Sequence, residues 1–323
     1  MKRIFASLSV FAFGIIVTGS VAAQNFPTKP IRIVVPFPAG GTTDVVARLV
    51  AQRFSESMKQ PVVVDNRGGA GGALGADIVA KSAPDGYTLL MANITFPLSS
   101  VAQTLAKRSP FDAEKDFTGV SIAVFVPFVL TAHPSVPAKD MKELGTLLQG
   151  KKLKYNYGST GPGSVMHVLG EAFKRDAKVD MAHIAYKGAA PLKLELLSGR
   201  IQIGGDQLST SLAEIRAGQL KALATAGSKR IAVLPDVPTV REQGFAALEF
   251  EGWNGLLAPA KTPRAVIEKL QRETAVAVRH PDVQKRFSEL GAESVGSSPQ
   301  EQTNIVLKQM KQFTPVIREM KLD

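Results

Sequence analysis

Residues 30–44 read PIRIVVPFPAGGTTD, a stretch that predicts a strand, a glycine-rich loop and the beginning of a helix. Ile31–Val35 consists largely of β-branched residues, and the apolar residues between 45 and 54 recur at helical spacing. Further strands are predicted at 61–64 and 87–91, with a helix at about 74–82 between them. This βαβαβ order predicts an α/β fold with a parallel, doubly wound sheet.

The rest of the chain continues the alternation of strands and helices. An extended stretch covers 117–131, strands are predicted at 153–157, 182–186, 201–205 and 220–225, and helices at 164–174, 191–198, 264–279, 282–290 and 300–320. Segments 92–99 and 207–211 are predicted to be variable loops. With 323 residues, the chain is long enough for two α/β domains.

The composition excludes several classes of site and partner. The chain has no cysteine, so it has no disulfide, no thiolate metal ligand and no cysteine nucleophile. Its 4 histidines show no metal-ligand spacing, and no metal or other cofactor is expected. The net charge of +11 comes from scattered Lys and Arg residues without a nucleic-acid-binding signature. We therefore interpret this charge as a solvated basic surface and expect no nucleic-acid partner.

The first 23 residues have the features of a secretory signal peptide. Lys2 and Arg3 form a basic start, an apolar run covers 4–17, and Val21-Ala22-Ala23 offers small residues for cleavage. An uncleaved membrane anchor is the alternative, but serine and threonine residues weaken the run, and no later segment is apolar over a sufficient length to cross a bilayer. The mature chain is therefore expected in the periplasm, without membrane insertion after cleavage.

The loop Pro36–Asp44 lies beyond the carboxyl end of a predicted strand, where open α/β sheets bind ligands. The free N–H groups and the dipole of a helix N-terminus attract anions. Gly40 and Gly41 allow close approach of the backbone, and Thr42 adds a hydroxyl donor. Asp44 is expected mainly to complement the first turn of the helix. A nucleotide loop is disfavoured because neither the Walker nor the Rossmann pattern is complete, which leaves a plain glycine turn as the alternative.

A second loop, Tyr155–Ser164, repeats this order of strand, small polar residues and helix start. It offers the hydroxyls of Ser159, Thr160 and Ser164, and close backbone approach at Gly161. Neither loop contains Lys or Arg, so an anion held between them would be bound by oriented amides and hydroxyls instead of an ion pair. If the loops belong to different domains, their donors can face each other across a cleft and enclose one anion.

Two further side chains are candidates for chemistry. His167 lies three residues after Ser164 and can share a helix face with it, which permits a Ser/His nucleophile pair. No acid partner or nucleophile elbow accompanies this pair, so a hydrolase is the weaker hypothesis. Asp206 follows a predicted strand and is expected either to accept from a ligand ammonium or a water, or to cap a turn.

Motifs along the whole chain resemble those of the solute receptors of tripartite tricarboxylate transporters, often called Bug proteins. The matching segments, in order, are Pro30–Gly41, Asp65–Arg67, Pro84–Leu90, Tyr157–Ser164, Tyr186–Gly188, Leu234–Thr239, and Trp253 with Pro259. Each segment is modest alone, but their order over the whole chain is specific. One departure is Gly68, where the family commonly has proline after the Asn-Arg pair.

The resemblance implies a two-domain periplasmic-binding-protein (Venus-flytrap) fold, type II-like, with two crossover segments. Domain 1 would comprise residues 24–124 and 249–323, and domain 2 residues 125–248, so the C-terminal helices would return to domain 1. The resemblance also implies that the two glycine-rich loops hold a ligand carboxylate through amides, hydroxyls and ordered water. By position, the implied ligand-binding residues are Phe37, Ala39, Gly40, Gly41, Thr42, Asp44, Ser159, Thr160, Gly161, Ser164, His167 and Asp206.

The function that the resemblance implies is a monomeric, non-catalytic receptor for a small carboxylate, such as an organic, amino or aromatic acid. The receptor would deliver its ligand to the large and small membrane subunits of a secondary transporter. An alternative function is signalling, in which the receptor would dock on a membrane sensor kinase. A third hypothesis is a periplasmic hydrolase that uses Ser164 and His167. The choice of acid would depend on residues beyond the shared clamp, such as those of 92–99 and 207–211.

Overall fold

The computed structural model describes residues 26–150 and 154–320, which form two β-sheets flanked by helices. The predicted signal peptide lies outside these residues. The strands are β1 (Ile31–Val35), β2 (Val62–Asn66), β3 (Thr88–Asn93), β4 (Phe117–Phe125), β5 (Phe128–Ala132), β6 (Asn156–Ser159), β7 (Ala182–Ala185), β8 (Ile203–Gln207), β9 (Lys221–Thr225), β10 (Trp253–Pro259) and β11 (Glu293–Ser294). The helices are α1 (Thr42–Met58), α2 (Ala73–Ala80), α3 (Thr95–Leu105), α4 (Met141–Gln149), α5 (Val165–Ala177), α6 (Ala189–Leu197), α7 (Leu212–Arg216), α8 (Arg264–Arg279), α9 (Pro281–Glu289) and α10 (Pro299–Glu319).

The first lobe is built on a six-stranded sheet with the strand order β11-β4-β10-β3-β1-β2. β1 pairs in parallel with β2 and β3, as the βαβαβ pattern predicts. β10 is antiparallel to both β3 and β4, so the sheet is mixed and not purely parallel. The reason is that the chain leaves the lobe after β4 and re-enters the middle of the sheet through β10. Ile31, Ile33 and Phe54 are fully buried between β1 and α1 and belong to the core of this lobe.

The second lobe is built on a five-stranded sheet with the strand order β7-β6-β8-β5-β9. β6 is parallel to β7 and β8, whereas β5 is antiparallel to β8 and β9. The chain enters this sheet between β4 and β5 and leaves it between β9 and β10, so two crossovers connect the lobes. Trp253 is fully buried at the return crossover, where its Nε1 donates to Gln309 Oε1 of α10 at 2.8 Å.

The C-terminal helices pack on the first sheet. α8 contacts β4 and α1, and α10 contacts β4 and α3. α10 begins with a complete capping box, in which Ser298 Oγ accepts from Glu301 N at 3.2 Å and Glu301 Oε2 accepts from Ser298 N at 2.7 Å. The first lobe therefore consists of two stretches of chain, with the second lobe between them in sequence.

Residues 92–99, predicted to be a variable loop, are instead the end of β3 and the beginning of α3. Pro97 is compatible with this helix because it occupies the first turn, where an N–H group has no intrahelical partner. Asn93 Oδ1 accepts from Thr95 N at 2.8 Å and so satisfies one of the first-turn amides. The side chains of this segment are buried, which makes it part of the core of the first lobe.

Candidate ligand-binding cleft

A cleft of about 460 Å³, with open solvent included, lies between the two lobes. The first lobe contributes Phe37, Pro38, Ala39, Gly41, Thr42, Thr43, Asp44, Asn93 and Thr95, and the second contributes Thr160, Ala189, Ala190, Asp206 and Gln207. No Lys, Arg or His is among these lining residues. Positive potential inside the cleft must therefore come from backbone amides and helix dipoles.

The N-terminus of α1 opens into the cleft without a side-chain cap. Gly41 is the N-cap residue, so no side chain competes for the amides of the first turn. Asp44 braces the preceding loop, because its Oδ2 accepts from Gly40 N and from Arg48 Nε, both at 3.0 Å. Its Oδ1 accepts from Asn66 Nδ2 at 3.0 Å. Burial raises the pKa of Asp44, but the hydrogen bonds it accepts outweigh this effect and leave the pKa below its usual value.

A second uncapped helix N-terminus faces the cleft from the other lobe. α6 begins after Gly188, whose φ of 107° favours glycine and whose lack of a side chain leaves the helix uncapped. Ala189 and Ala190 of its first turn line the cleft. Gly188 also packs on the first lobe, since a β-carbon at this position would lie 3.0 Å from Pro38 Cδ. The positive ends of α1 and α6 therefore meet at one cleft from opposite lobes.

The loop between β6 and α5 completes the cleft. Thr160 lines it, and the neighbouring Pro162 packs directly on Gly71 of the first lobe. The hydroxyls of Thr42 and Ser209 form a hydrogen bond across the lobes. The structure is therefore a closed form, in which atoms of both lobes touch at several points around the cleft.

Two stacked histidines support this loop from behind. The rings of His167 and His183 have centroids 4.0 Å apart and planes 10° apart. His167 Nδ1 accepts from Gly163 N at 3.0 Å, and His183 Nε2 lies 2.7 Å from Ser159 Oγ. Ser159 is fully buried, and its Oγ lies 3.1 Å from Gly161 O. Ser159 and His167 thus shape the loop without lining the cleft.

The histidine pair is neutral near neutral pH. Burial, together with the adjacent His183, lowers the pKa of His167 to about 4. Burial also lowers the pKa of His183. The nearby Glu171 favours protonation of both rings, but its Oε1 already accepts from Tyr157 Oη at 2.6 Å and from Lys174 Nζ at 2.8 Å. A neutral His167 is also what the hydrogen bond to the loop requires, because a protonated Nδ1 cannot accept.

Ser164 and His167 do not form a nucleophile–base pair in this structure. Ser164 Oγ is buried and has no hydrogen-bond partner within residues 26–150 and 154–320. His167 Nδ1 is already occupied by the amide of Gly163. The hydrogen bond that would activate a serine nucleophile is therefore not made by these two side chains.

Asp206 is a carboxylate enclosed in the cleft without a basic partner. It lies near the end of β8 and is half-buried by surface area because it faces the cleft. Its carboxylate accepts from the Gln207 amide, and no side chain of the described residues donates to it. Removal from bulk water raises the pKa of Asp206 to about 6, which the Gln207 amide only partly offsets.

A chain of buried hydrogen bonds forms the floor of the cleft. Asn93 Nδ2 donates to Thr43 Oγ1, and Thr43 Oγ1 donates to Asn254 Oδ1, both at 2.9 Å. Asn254 Nδ2 donates to Gln207 Oε1 of the second lobe at 3.1 Å. Asn93 and Asn254 are direct partners across β3 and β10. This chain links the first turn of α1 to the return crossover and to the residue next to Asp206.

Comparison with known proteins identifies the family. The sequence profile of the tripartite tricarboxylate transporter family receptor (TctC) matches residues 46–322. The chain belongs to this receptor family. Protein BugT of Bordetella pertussis is 33% identical over 319 residues, which cover 99% of this receptor and 98% of that relative. The resemblance inferred from the sequence motifs is thereby confirmed.

Solved structures share the fold of the receptor. A structure described as a periplasmic transporter has a TM-score of 0.86 at 39% identity and covers 92% of the receptor and 99% of that chain. MatC from Rhodopseudomonas palustris, with bound malate, has a TM-score of 0.84 at 32% identity and covers 90% and 100%. These similarities confirm the predicted two-domain fold, and the receptor is a periplasmic solute-binding protein. No helix within residues 26–150 and 154–320 has the length and apolarity that a bilayer crossing requires.

Most of the ligand residues predicted from sequence lie together in the receptor. Those that line the cleft are Phe37, Ala39, Gly41, Thr42, Asp44, Thr160 and Asp206. Those that are not part of its lining are Gly40, Ser159, Gly161, Ser164 and His167. Ser159 and His167 instead support the second loop, and Gly40 donates to Asp44. Their roles in ligand binding stay predictions.

Sequence reasoning missed two parts of the cleft. The first is the N-terminus of α6, although Gly188 lies between a strand and a helix in the same pattern as the two recognised loops. The second is the polar floor. Asn93, Asn254 and Gln207 are far apart in the sequence, and nothing in their local patterns indicates that they meet. Their contact depends on the route of the return crossover.

Proposed function

We propose that the receptor captures a small carboxylate between its lobes and delivers it to the large and small membrane subunits of a tripartite tricarboxylate-type transporter. The observation that carries this proposal is the pair of uncapped helix N-termini, after Gly41 and Gly188, which face one cleft from opposite lobes. Such termini bind anions through unpaired amides and the helix dipole. Because no cationic side chain lines the cleft, amides and hydroxyls would hold the acid in a readily reversible way.

Closure of the lobes would allow a membrane partner to recognise the ligand-bound receptor. We assign residues 24–124 and 249–323 to domain 1 and residues 125–248 to domain 2, because the two sheets divide the chain near these positions. A ligand that contacts both domains stabilises the closed form, since only that form satisfies both sets of donors. We expect the membrane subunits to recognise the closed surface of a monomeric receptor.

The size of the cleft and the ligand of one relative support a small acid. The volume of about 460 Å³ includes open solvent, so the room left for a ligand between the closed lobes is smaller than this figure. MatC was solved with malate, a four-carbon acid. We propose the same class of ligand, a small acid, for this receptor.

We infer that the receptor does not transform its ligand. Ser164 is outside the cleft lining, and His167 is engaged with Gly163 instead of with a nucleophile. The acid should therefore be recovered unchanged after prolonged incubation with the receptor, as judged by mass spectrometry. Turnover that is lost in Ser164→Ala would contradict this inference.

Thermal unfolding with a panel of acids tests the proposed function. Mono-, di- and tricarboxylates, including amino and aromatic acids, are each added to the mature receptor. A ligand at 100 times its Kd adds about 2.7 kcal/mol to the free energy of unfolding, so at least one acid should clearly raise the apparent Tm. The primary amide of the same acid is the control and should have little effect, because it lacks the anionic group. If no acid in the panel raises Tm, the proposal is contradicted.

A further inference from the structure

The carboxylate of Asp206 places a chemical requirement on the ligand. Asp206 lines the same cleft as the two helix N-termini that, under the proposed function, hold the carboxyl group of the ligand. Within the described residues it accepts from the Gln207 amide and from no side chain. Enclosing a carboxylate in a poorly solvated site is costly unless further donors reach it.

Asp44 and Asp206 differ in their hydrogen-bond partners. Both carboxylates line the cleft, but Asp44 uses both of its oxygens within the first lobe, on Gly40, Arg48 and Asn66. Asp206 retains acceptor capacity on the side that faces the cleft. Its position is that of an acceptor for a bound molecule, while Asp44 is a brace for the loop.

We propose that the ligand is a small acid with a hydroxyl or ammonium group close to its carboxyl group, and that Asp206 accepts a hydrogen bond from this group. The inference rests on the proposed function, because the carboxyl group is placed at the N-termini of α1 and α6. A donor-free acid would leave Asp206 unsatisfied and would bring a further negative charge into a cleft without a cation. The cleft therefore favours acids that carry such a donor over acids that lack it.

Calorimetric titration with matched acids tests the inference. Propionate, lactate and alanine differ only in the hydrogen, hydroxyl or ammonium next to the carboxyl group, and succinate, malate and aspartate form a second such set. In at least one set, a donor-bearing acid should bind about tenfold or more tightly than its donor-free parent, because hydrogen bonds to ionised groups are the strong class.

Two variants separate the role of Asp206 from that of the rest of the cleft. Asp206→Leu removes the acceptor at similar size, so the affinities for the donor-bearing and the donor-free acid should become equal within about twofold. Asp206→Asn keeps an acceptor oxygen but removes the charge. It should retain preference for a hydroxyl and lose preference for an ammonium, which distinguishes the two donors. Thermal unfolding of each variant shows whether it folds.

The dependence on pH gives an independent readout. Because the pKa of Asp206 is raised to about 6, its ionised fraction falls as the pH decreases through that value. The preference of the wild type for an ammonium-bearing acid should therefore decline over this range. A preference for a hydroxyl-bearing acid should persist in the wild type and in Asp206→Asn, because a protonated carboxyl group keeps an acceptor oxygen as the amide does. Asp44 is the other titratable side chain of the cleft lining, and its lowered pKa keeps it ionised over the same range.

The outcomes distinguish a failure of the inference from a failure of the proposed function. Equal affinities in the wild type, or a preference that persists in Asp206→Leu, contradict the inference and leave the proposed function intact. Mass spectrometry of acid released from receptor purified without refolding extends the test beyond the two sets. Release of a donor-bearing acid supports the inference, and release of a donor-free acid contradicts it. If no acid binds and none is released, the inference and the proposed function both fail.

Discussion

A β-carbon placed on Gly71 would overlap the carbonyl oxygen of Pro162, so the backbones of the two lobes are in direct contact at this point. Gly71 lies between β2 and α2 of the first lobe, and Pro162 lies between β6 and α5 of the second. A β-carbon on Gly163 would likewise lie 3.2 Å from Ala102 Cβ. The closed form therefore leaves no room for a methyl group at Gly71. A substitution at this position can therefore test the closure of the lobes.

Gly71→Ala should hinder closure and weaken ligand binding by about tenfold or more, because the added methyl group meets Pro162 only when the lobes close. The backbone φ of +62° should cost the alanine about 1 kcal/mol of stability in either form. Calorimetry with an acid from the thermal screen measures the affinity. Small-angle scattering with saturating acid measures the closure.

Gly218→Ala is the matched control for Gly71→Ala. Gly218 has a φ of +70° and no atom within 4 Å of its β-carbon position, so an alanine there carries the backbone strain without a clash. The control should keep the affinity of the wild type. An equal loss of affinity in both variants would show that strain, and not the contact between the lobes, is responsible.

Thr43→Val tests the polar floor of the cleft. Valine has the shape of threonine but leaves Asn93 Nδ2 and Asn254 Oδ1 without their shared partner. The free energy of unfolding should fall by about 1–3 kcal/mol, the usual cost of unsatisfied buried polar groups. Urea denaturation should show a lower midpoint at unchanged m-value.

Thr146→Val controls for the loss of a threonine hydroxyl in a helix. Thr146 is exposed, and its Oγ1 donates only to Lys142 O within α4, at 3.1 Å. Its substitution should change stability little. If Thr43→Val costs no more than Thr146→Val, the polar floor does not stabilise the fold in the way described.

Ala190→Asp tests whether the N-terminus of α6 attracts the ligand. The new carboxylate would occupy the first turn of the helix at the edge of the cleft, where it stabilises the helix but competes with an anionic ligand. Affinity for an acid should fall by about tenfold, and the loss should shrink at high salt. Ala190→Asn has nearly the same size without the charge and should lose less. Equal losses would exclude an electrostatic role for this helix end.

His167 should make the receptor less stable in acid. Its pKa is lowered from the usual 6.5 to about 4, so the unfolded chain takes up the proton before the folded chain does. The contribution of His167 to the free energy of unfolding is complete above about pH 6.5, decreases as the pH falls towards 4, and amounts to roughly 3 kcal/mol at most. Protonation also removes the acceptor for Gly163 N, so the loop that carries Thr160 should loosen.

The control for this titration is His167→Asn, whose side-chain oxygen can still accept from Gly163 N but does not titrate in this range. Asp206 acts in the opposite direction, since its raised pKa adds stability as the pH falls from about 6 to 3.8. Urea denaturation of both proteins over this range isolates His167, because the effect of Asp206 is common to both. A difference in stability that is constant with pH would contradict the assignment.

The sequence predicts the alternation of strands and helices well because each element carries a local pattern. It fails at residues 92–99, which are predicted to be a loop but form the end of β3 and the beginning of the buried helix α3. It also fails to indicate the mixed first sheet, because the position of β10 depends on where the chain returns from the second lobe. Such long-range relationships leave no periodic signal in the sequence.

The candidate site is likewise predictable only where its residues carry a local sequence pattern. The loop before α1 and Thr160 are found from local glycine-rich patterns, and both line the cleft. The support of the second loop by His183 is not predictable, since His183 lies on a different strand and reaches Ser159 only through strand pairing between β6 and β7. Functional positions that depend on tertiary contacts therefore appear only in the structure.

A crystal structure of the receptor with the acid that most raises its Tm tests the central claim most directly. We expect one carboxylate group within hydrogen-bonding distance of first-turn amides from both α1 and α6, with the lobes closed around it. An acid bound to one lobe alone, or in the separate groove near Glu249 and Gln309, would contradict the account.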